Sequence, residues 1–206
     1  MPLVIICGVP CSGKTKRANE IVDILTKRGK KYEIINDELC GIKYEDYGDF
    51  GKEKEARGKL RSELNKFISK DVFTIIDSAN YIKVRTIAFW LYFSVIIVIN
   101  KYFQGFRYEL WCIARAASTP CCTVVPIGSY DDCRERNKAL NRLSSVQFEE
   151  MIQRWEEPDK NRKWESPRFP ILDEETIEEE TFIKALEGVG KSVFTPLSQV
   201  PINFYF

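Results

Sequence analysis

Short apolar runs alternate with longer amphipathic stretches along most of the chain. Four mostly apolar runs predict strands of a buried parallel sheet, at Leu3 to Cys7, Glu33 to Ile35, Val72 to Ile76 and Cys121 to Val125. Apolar residues at helical spacing predict helices at Lys14 to about Arg28, Glu53 to Ser69, Gly105 to Ala117, Asp131 to Asn141 and Ser145 to Trp155. This alternation favours an α/β fold, in which helices flank a parallel sheet and right-handed crossovers connect the strands.

The end of the chain has a weaker pattern. The acidic stretch "DEETIEEE", residues 173–180, predicts the solvated N-terminus of a last helix. From Gly188 onward the sequence has no clear periodicity. We therefore divide the chain into a main domain, residues 1–172, and an acidic helix with an irregular tail, residues 173–206.

Composition removes several classes of function. The 206 residues, 44% hydrophobic and 30% charged, suit one globular domain, and the net charge of +1 gives no overall attraction to nucleic acid. The absence of histidine excludes Ser-His-Asp and Cys-His catalysis and most catalytic zinc sites. Seven cysteines without a Cys-x-x-Cys pair indicate reduced thiols in a cytosolic or nuclear protein. The start, "MPLVIICGVP", is interpreted as a first strand and not as a signal peptide.

The strongest chemical signal is the stretch "GVPCSGKT". It fits the phosphate-loop pattern G-x-x-x-x-G-K-[ST] at every position and lies between a predicted strand and a predicted helix. Its backbone N–H groups and the N-terminus of the helix can bind phosphate oxygens. We expect Lys14 to reach the β- and γ-phosphates and the Thr15 hydroxyl to hold Mg²⁺. The predicted nucleotide-binding residues are Gly8, Val9, Pro10, Cys11, Ser12, Gly13, Lys14 and Thr15.

Two carboxylates follow predicted strands. Asp77 closes the strand "VFTIID", where it is expected to fix Mg²⁺ or its water shell. Asp37 in "IINDE" follows the second strand, where a carboxylate can orient a hydroxyl or a water for attack on the γ-phosphate. Each also suits a simpler role, as the cap of the turn that follows.

The arginine-rich stretch "CRERNKALNR", residues 133–142, predicts a basic lid. A planar guanidinium can bind two oxygens of the transferring phosphate at once. Arg134, Arg136 and Arg142 are the candidates, and a solvated helix face explains the same charges equally well.

Several segments of the sequence together resemble one known family. In chain order they are "MPLVIICGVPCSGKTKRA", "INDE", "IIDSANYIK", "GFRYELWCIARAA" and "RWEEPDKNRKWESPRF". They are similar to the killer-toxin-insensitivity P-loop ATPase that associates with the Elongator complex, a sister family of the kinase that phosphorylates seryl-tRNA on the selenocysteine tRNA. The resemblance implies a kinase-like P-loop NTPase that binds ATP and Mg²⁺, hydrolyses ATP, contacts tRNA and supports Elongator in modifying the wobble uridine.

The same resemblance assigns roles to single residues. It implies that Lys14 and Asp77 serve catalysis with Mg²⁺, that Asp37 is the hydrolysis-linked acid, and that Arg107 contacts the nucleotide or the acceptor end. The family's lid places an arginine three residues after an asparagine, whereas Leu140 stands there in this chain. Arg134 is taken as the catalytic lid arginine, with Arg136 and Arg142 as alternatives. Two other functions stay open: a kinase acting on seryl-tRNA or a small hydroxyl acceptor, and an interaction protein that binds nucleotide without turnover.

Two segments depart from the family pattern. Residues 84–104 separate "NYIK" from "GFRYEL", which adjoin in the family; their apolar core is shorter than the roughly 20 residues that cross a bilayer. We interpret this insertion as a retained intron or a gene-model error and predict no membrane contact. The family also continues into a C-terminal domain associated with tRNA binding, where this chain has only residues 173–206, so we expect tRNA binding to be impaired.

Overall fold

The computed structural model of the chain describes residues 2–80, 105–159 and 161–189. Their centre is a sheet of five parallel strands in the order β2-β3-β1-β4-β5. The strands are β1 Leu3–Ile6, β2 Tyr32–Asn36, β3 Phe73–Asp77, β4 Cys121–Ile127 and β5 Arg168–Leu172. The predicted α/β architecture with a parallel sheet is confirmed.

Six α-helices are described around this sheet. They are α1 Lys14–Lys27, α2 Phe50–Phe67, α3 Phe106–Ala116, α4 Tyr130–Leu140, α5 Ser145–Gln153 and α6 Glu179–Val189. Short 3-10 helices cover Tyr44–Gly48 and Lys163–Glu165. Among these described helices, none is long and apolar enough to cross a membrane.

The two faces of the sheet carry separate hydrophobic cores. Successive residues of a strand point to opposite faces, so Leu3 and Ile5 join one core with residues of α2 and α3. Val4 and Ile6 join the other core with residues of α1 and α6. None of these four side chains is more than 1% exposed. Because β1 is buried on both faces, its sequence is a continuous apolar run.

Parallel pairing brings the ends of three strands together. Ile6 pairs with Asp77, and Asp77 pairs with Asn36, so β1, β3 and β2 end side by side. Asp77 is the last residue of β3, and the phosphate loop and Asp37 come directly after β1 and β2. Clefts outside the carboxyl ends of parallel strands are the usual binding sites of α/β proteins.

Some sequence-based expectations need correction. Arg168–Leu172 forms the edge strand β5, for which no strand was predicted. Residues 173–178 form a short turn followed by an irregular segment, and α6 begins only at Glu179. Helix α2 begins at Phe50, before the predicted Glu53, because Asp49 accepts a hydrogen bond from the Lys52 N–H and caps it. The predicted insertion, residues 84–104, and the tail beyond 189 lie outside the described residues.

Candidate nucleotide site

A cavity of about 650 Å³ opens at the carboxyl edge of the sheet. Its lining combines the phosphate loop with polar side chains from four other loops. Among the residues that line it are Gly8, Cys11, Gly13, Lys14, Thr15, Asp37, Tyr44, Asp77, Ser78, Arg136, Leu140, Arg142, Leu143, Met151, Asp173 and Glu174. A volume of this size is typical of small-molecule and cofactor sites.

The phosphate loop has the backbone that its sequence predicts. Gly13 has φ 91° immediately before α1, and no side chain caps the helix, so its first N–H groups face the cavity. A Cβ on Gly8 would lie 2.6 Å from the Ser12 hydroxyl oxygen, so any larger residue there would force the Ser12 side chain to move. The buried Ser12 hydroxyl has no hydrogen-bond partner among the described residues. This loop therefore has the form of an anion-binding cradle.

Lys14 lies within the cradle. Its Nζ donates to the carbonyl oxygens of Gly8 at 3.2 Å and Val9 at 2.9 Å. Burial lowers the pKa of Lys14, and the nearby carboxylates of Asp77 and Asp37 oppose that shift. A partly buried cation that donates to carbonyl oxygens gains when a phosphate approaches.

Thr15 and Asp77 form the part of the site that suits a metal. The Thr15 hydroxyl donates to Oδ2 of Asp77 at 2.8 Å. Both are oxygen ligands, which Mg²⁺ prefers, and Mg²⁺ at nucleotide sites uses one or two protein oxygens together with phosphates and waters. The described residues contain no group of three acidic or thiol side chains that could hold a metal alone. The pair therefore fits a Mg²⁺ that arrives with a nucleotide.

Asp37 is held by two hydroxyl groups that sequence reasoning missed. Its Oδ1 accepts hydrogen bonds from the Tyr47 hydroxyl at 2.7 Å and from the Ser78 hydroxyl at 2.6 Å. Burial raises the pKa of Asp37, and these two hydrogen bonds counteract the rise. Ser78 could have been found as the neighbour of Asp77, whereas no local signal marks Tyr47.

Two arginines of the predicted lid reach the cavity. Arg136 donates to the Cys11 carbonyl at 3.3 Å and forms an ion pair with Asp173. Arg142 donates to the Tyr44 hydroxyl at 3.0 Å, and its guanidinium lies 5.3 Å from the centre of that ring. Leu140 also lines the cavity, at the position where the family pattern has arginine.

The structure places the other two arginine candidates outside the cavity. Arg134 pairs with Asp131 and Glu149, so it is not the lid arginine of this arrangement. Arg107 is only 1% exposed and donates to Glu165 at 2.6 Å and to the carbonyl oxygens of Asn80 and Glu156. The expectation of a nucleotide contact for Arg107 is therefore corrected: its guanidinium is buried away from the cavity and is engaged by Glu165 and two backbone carbonyls.

The turn after β5 supplies a carboxylate that sequence reasoning had assigned to a helix. Arg17 donates to the carbonyls of Leu172 and Glu175, each at 2.6 Å, and Lys16 donates to the carbonyl of Asp173 at 2.9 Å. Helix α1 thus fixes the turn, and Asp173 faces the cavity.

Comparison with known proteins gives a consistent result. A family model described as "Chromatin associated protein KTI12" matches residues 1–86 and 92–203. A KTI12 homolog of Danio rerio is 38% identical over 191 residues, which are 90% of this chain and 62% of that protein. KTI12 of Saccharomyces cerevisiae is 34% identical over 84% of this chain and 51% of its own length. The chain thus spans between half and two thirds of these relatives.

Solved structures agree on the fold. The crystal structure of Chaetomium thermophilum Kti12 in complex with ADP-AlF3 superimposes with a TM-score of 0.74 at 26% identity, over 90% of this chain and 99% of that one. The APS kinase of Mycobacterium tuberculosis, in complex with AMPPNP and APS, gives a TM-score of 0.59 at 13% identity, over 90% and 97% of the two chains. The second match supports only the fold, which is that of kinase-like P-loop proteins. The predicted resemblance is confirmed, and this chain belongs to the KTI12 family.

Proposed function

We propose that the chain binds ATP with Mg²⁺ and hydrolyses it. One observation carries this proposal: Lys14, the Thr15–Asp77 pair and Asp37 meet at a single cavity from the ends of three adjacent strands. These are a phosphate-binding cation, a Mg²⁺-binding pair and an acid, which are the groups that ATP hydrolysis requires. A family member crystallised in complex with ADP-AlF3 supports the assignment.

The residues divide the work of hydrolysis between them. Loop N–H groups and the N-terminus of α1 hold the phosphates, and Lys14 exchanges the Gly8 and Val9 carbonyls for phosphate oxygens. Mg²⁺ held by Thr15 and Asp77 would neutralise charge on the β- and γ-phosphates. Asp37 orients the attacking water.

The lid provides further positive charge. Arg142 lies against Tyr44, which follows Asp37 in the chain and lines the same cavity. Its guanidinium can turn from the phenol to the γ-phosphate, where charge develops in the transition state. Arg136 lies over the phosphate loop at Cys11, on the side of Asp173.

We further propose that hydrolysis serves the Elongator complex in modification of the tRNA wobble uridine. Membership of the KTI12 family supports this role. It would place the chain in the cytosol or the nucleus, consistent with the free cysteines of the described residues. The net charge of +1 provides no general attraction to RNA, so tRNA contact would depend on local surfaces.

A kinase is the second candidate. The cavity extends past the phosphate loop to Tyr44, Leu143 and Met151, which leaves room beside Asp37 for an acceptor. A carboxylate that orients water can also orient the hydroxyl of an acceptor such as seryl-tRNA or a small alcohol.

A phosphate-release assay tests these proposals. The full chain is given γ-labelled ATP with Mg²⁺, with and without tRNA, and is compared with Lys14→Ala. We expect Lys14→Ala to lower phosphate release at least about 100-fold, since it removes the cation that contacts the β- and γ-phosphates. Chelation of Mg²⁺ should have a similar effect.

One variant serves as the control, and two outcomes would favour a different function. Lys27→Ala removes an exposed lysine at the other end of α1 and should leave the rate unchanged. Label transferred to RNA or to an added alcohol would favour the kinase. ATP binding without release of phosphate would leave the interaction protein as the function.

A further inference from the structure

Asp37, Tyr47 and Ser78 form a closed triangle of oxygen atoms beside the cavity. The two hydroxyl oxygens lie 2.7 Å and 2.6 Å from Oδ1 of Asp37 and 3.0 Å from each other. Each hydroxyl carries one proton, and an ionised carboxylate only accepts hydrogen bonds. Both protons therefore point at the same carboxylate oxygen.

Both hydroxyl-bearing residues are buried. Tyr47 is 3% exposed and Ser78 is 2% exposed, so water does not compete for them. A buried hydroxyl that lost Asp37 would lose a hydrogen bond to a charged group, and this cost makes the arrangement stiff. The carboxylate is consequently held in one orientation.

The second carboxylate oxygen is left for the reaction. Oδ2 of Asp37 accepts no hydrogen bond from the described residues, and Asp37 lines the cavity together with Lys14 and Asp77. An acid at the cavity with one oxygen anchored and the other oxygen available is suited to hold a nucleophile in line for attack.

Both anchors belong to rigid parts of the fold. Ser78 follows β3 directly, beside Asp77. Tyr47 lies in the 3-10 helix Tyr44–Gly48, whose start is fixed by a hydrogen bond of 2.9 Å from the Lys43 N–H to the Asp46 carboxylate. The ring of Tyr47 also packs in the core beneath the sheet. The direction of Asp37 is therefore set by the sheet and the core and not by its own loop.

We propose that Tyr47 and Ser78 are positioning residues that aim Asp37 at the nucleophile during ATP hydrolysis. This inference rests on the proposed hydrolysis. It requires that each hydroxyl acts only through Asp37, and that neither contributes to the binding of ATP.

The test separates turnover from binding. Tyr47→Phe and Ser78→Ala each remove one hydroxyl, and we expect each to lower kcat about 10-fold, because a misaimed acid holds the nucleophile off line. The Kd for ATP, measured by titration without turnover, should change less than about twofold. Tyr32→Phe, at the opposite end of β2, is the matched control and should leave both values unchanged.

A double-mutant cycle distinguishes positioning from general support of the fold. In an Asp37→Ala background, Tyr47→Phe should cause no further loss of kcat, because the group through which it acts is gone. A structural role would reduce the rate equally in both backgrounds, and melting temperatures would fall in parallel. An unchanged kcat in Tyr47→Phe, or a second loss in the Asp37→Ala background, would overturn the inference.

The same experiments show whether the hydrolysis itself fails. If the unmodified chain released no more phosphate than Lys14→Ala, the proposed function and this inference would both be wrong. If the unmodified chain hydrolysed ATP while Tyr47→Phe and Ser78→Ala matched it, only the inference would be wrong.

Discussion

Arg142 enters the cavity from the loop between α4 and α5, where its guanidinium contacts the ring and the hydroxyl of Tyr44. Tyr44 is 40% exposed, so this contact lies near solvent and is exchangeable. A phosphate offers a guanidinium two charged oxygens in place of one phenol. We therefore expect nucleotide to draw Arg142 away from Tyr44.

We expect Arg142→Ala to lower the rate of phosphate release about 10-fold to 100-fold. The substitution removes a hydrogen-bond donor for the charge that develops on the γ-phosphate. Single-turnover kinetics with saturating ATP would measure the loss. Arg134→Ala is the control: its guanidinium is engaged by Asp131 and Glu149 away from the cavity, so its rate should equal that of the unmodified chain. The opposite ranking of the two variants would contradict the placement of the lid.

Sequence could not decide between these arginines. Arg134 and Arg136 are two positions apart on α4, so they point to different sides of the helix, and only the docking of the helix tells which side faces the cavity. Arg107 raises the same difficulty, since its partner Glu165 is distant in sequence and the ion pair is visible only after folding. The residues of the phosphate loop were predictable because their conformation is encoded locally.

The connection between helices α4 and α5, which carries Arg142, is fixed by hydrogen bonds from the side chain of Asn137. Its Nδ2 donates to the Leu143 carbonyl at 2.9 Å, and its Oδ1 accepts from the Leu143 N–H at 3.1 Å. Asn137 is only 4% exposed, so water replaces neither hydrogen bond. One side chain thus satisfies both backbone groups of Leu143 and fixes the turn between α4 and α5.

Asn137→Ala should destabilise the chain by about 1–3 kcal/mol, because it leaves two buried backbone groups without partners. It should also lower the rate of phosphate release, because Arg142 loses its fixed position. Urea denaturation and the release assay measure the two effects. Asn141→Gly in the same loop is the control: Asn141 has φ 46°, which glycine adopts without strain, so its stability should change by less than about 0.5 kcal/mol. Equal stability of the two variants would contradict the role of Asn137.

The three central strands and the edge strand β2 were predictable from sequence, and the other edge strand, β5, was not. Strands β1, β3 and β4 are almost fully buried, so their apolar runs identify them. Strand β5 is partly exposed and contains Pro170, which the interior of a sheet excludes but an edge tolerates. Its pairing with β4 is a tertiary contact. The turn with Asp173 was missed for the same reason, since Arg17 and Lys16 of α1 shape it.

The two described segments on either side of residues 81–104 are in contact with each other in the folded molecule. Arg107 donates to the Asn80 carbonyl at 3.3 Å, although the two residues are 27 positions apart. The end of β3 and the first turn of α3 therefore lie within the reach of one side chain of each other.

We therefore expect that removal of residues 84–104 leaves the fold and the nucleotide site intact. The shortened chain should bind ATP with the same Kd, and its solubility should increase, because an apolar stretch rich in β-branched and aromatic residues is lost. Arg107→Ala in the shortened chain is the control, which should unfold more easily because Glu165 is left buried without its partner.

The origin of this segment can be tested on the transcript itself. Valine and arginine codons at its start can spell a splice donor, and a glutamine codon at its end can spell an acceptor. A dominant spliced transcript that joins the codons of Lys83 and Gly105 would support a retained intron or a gene-model error. A dominant transcript that keeps the codons for 84–104 would show instead that the segment belongs to the protein, and so would a shortened chain that precipitates. The contact between Arg107 and Asn80 would then mark the base of a genuine insertion in this family member.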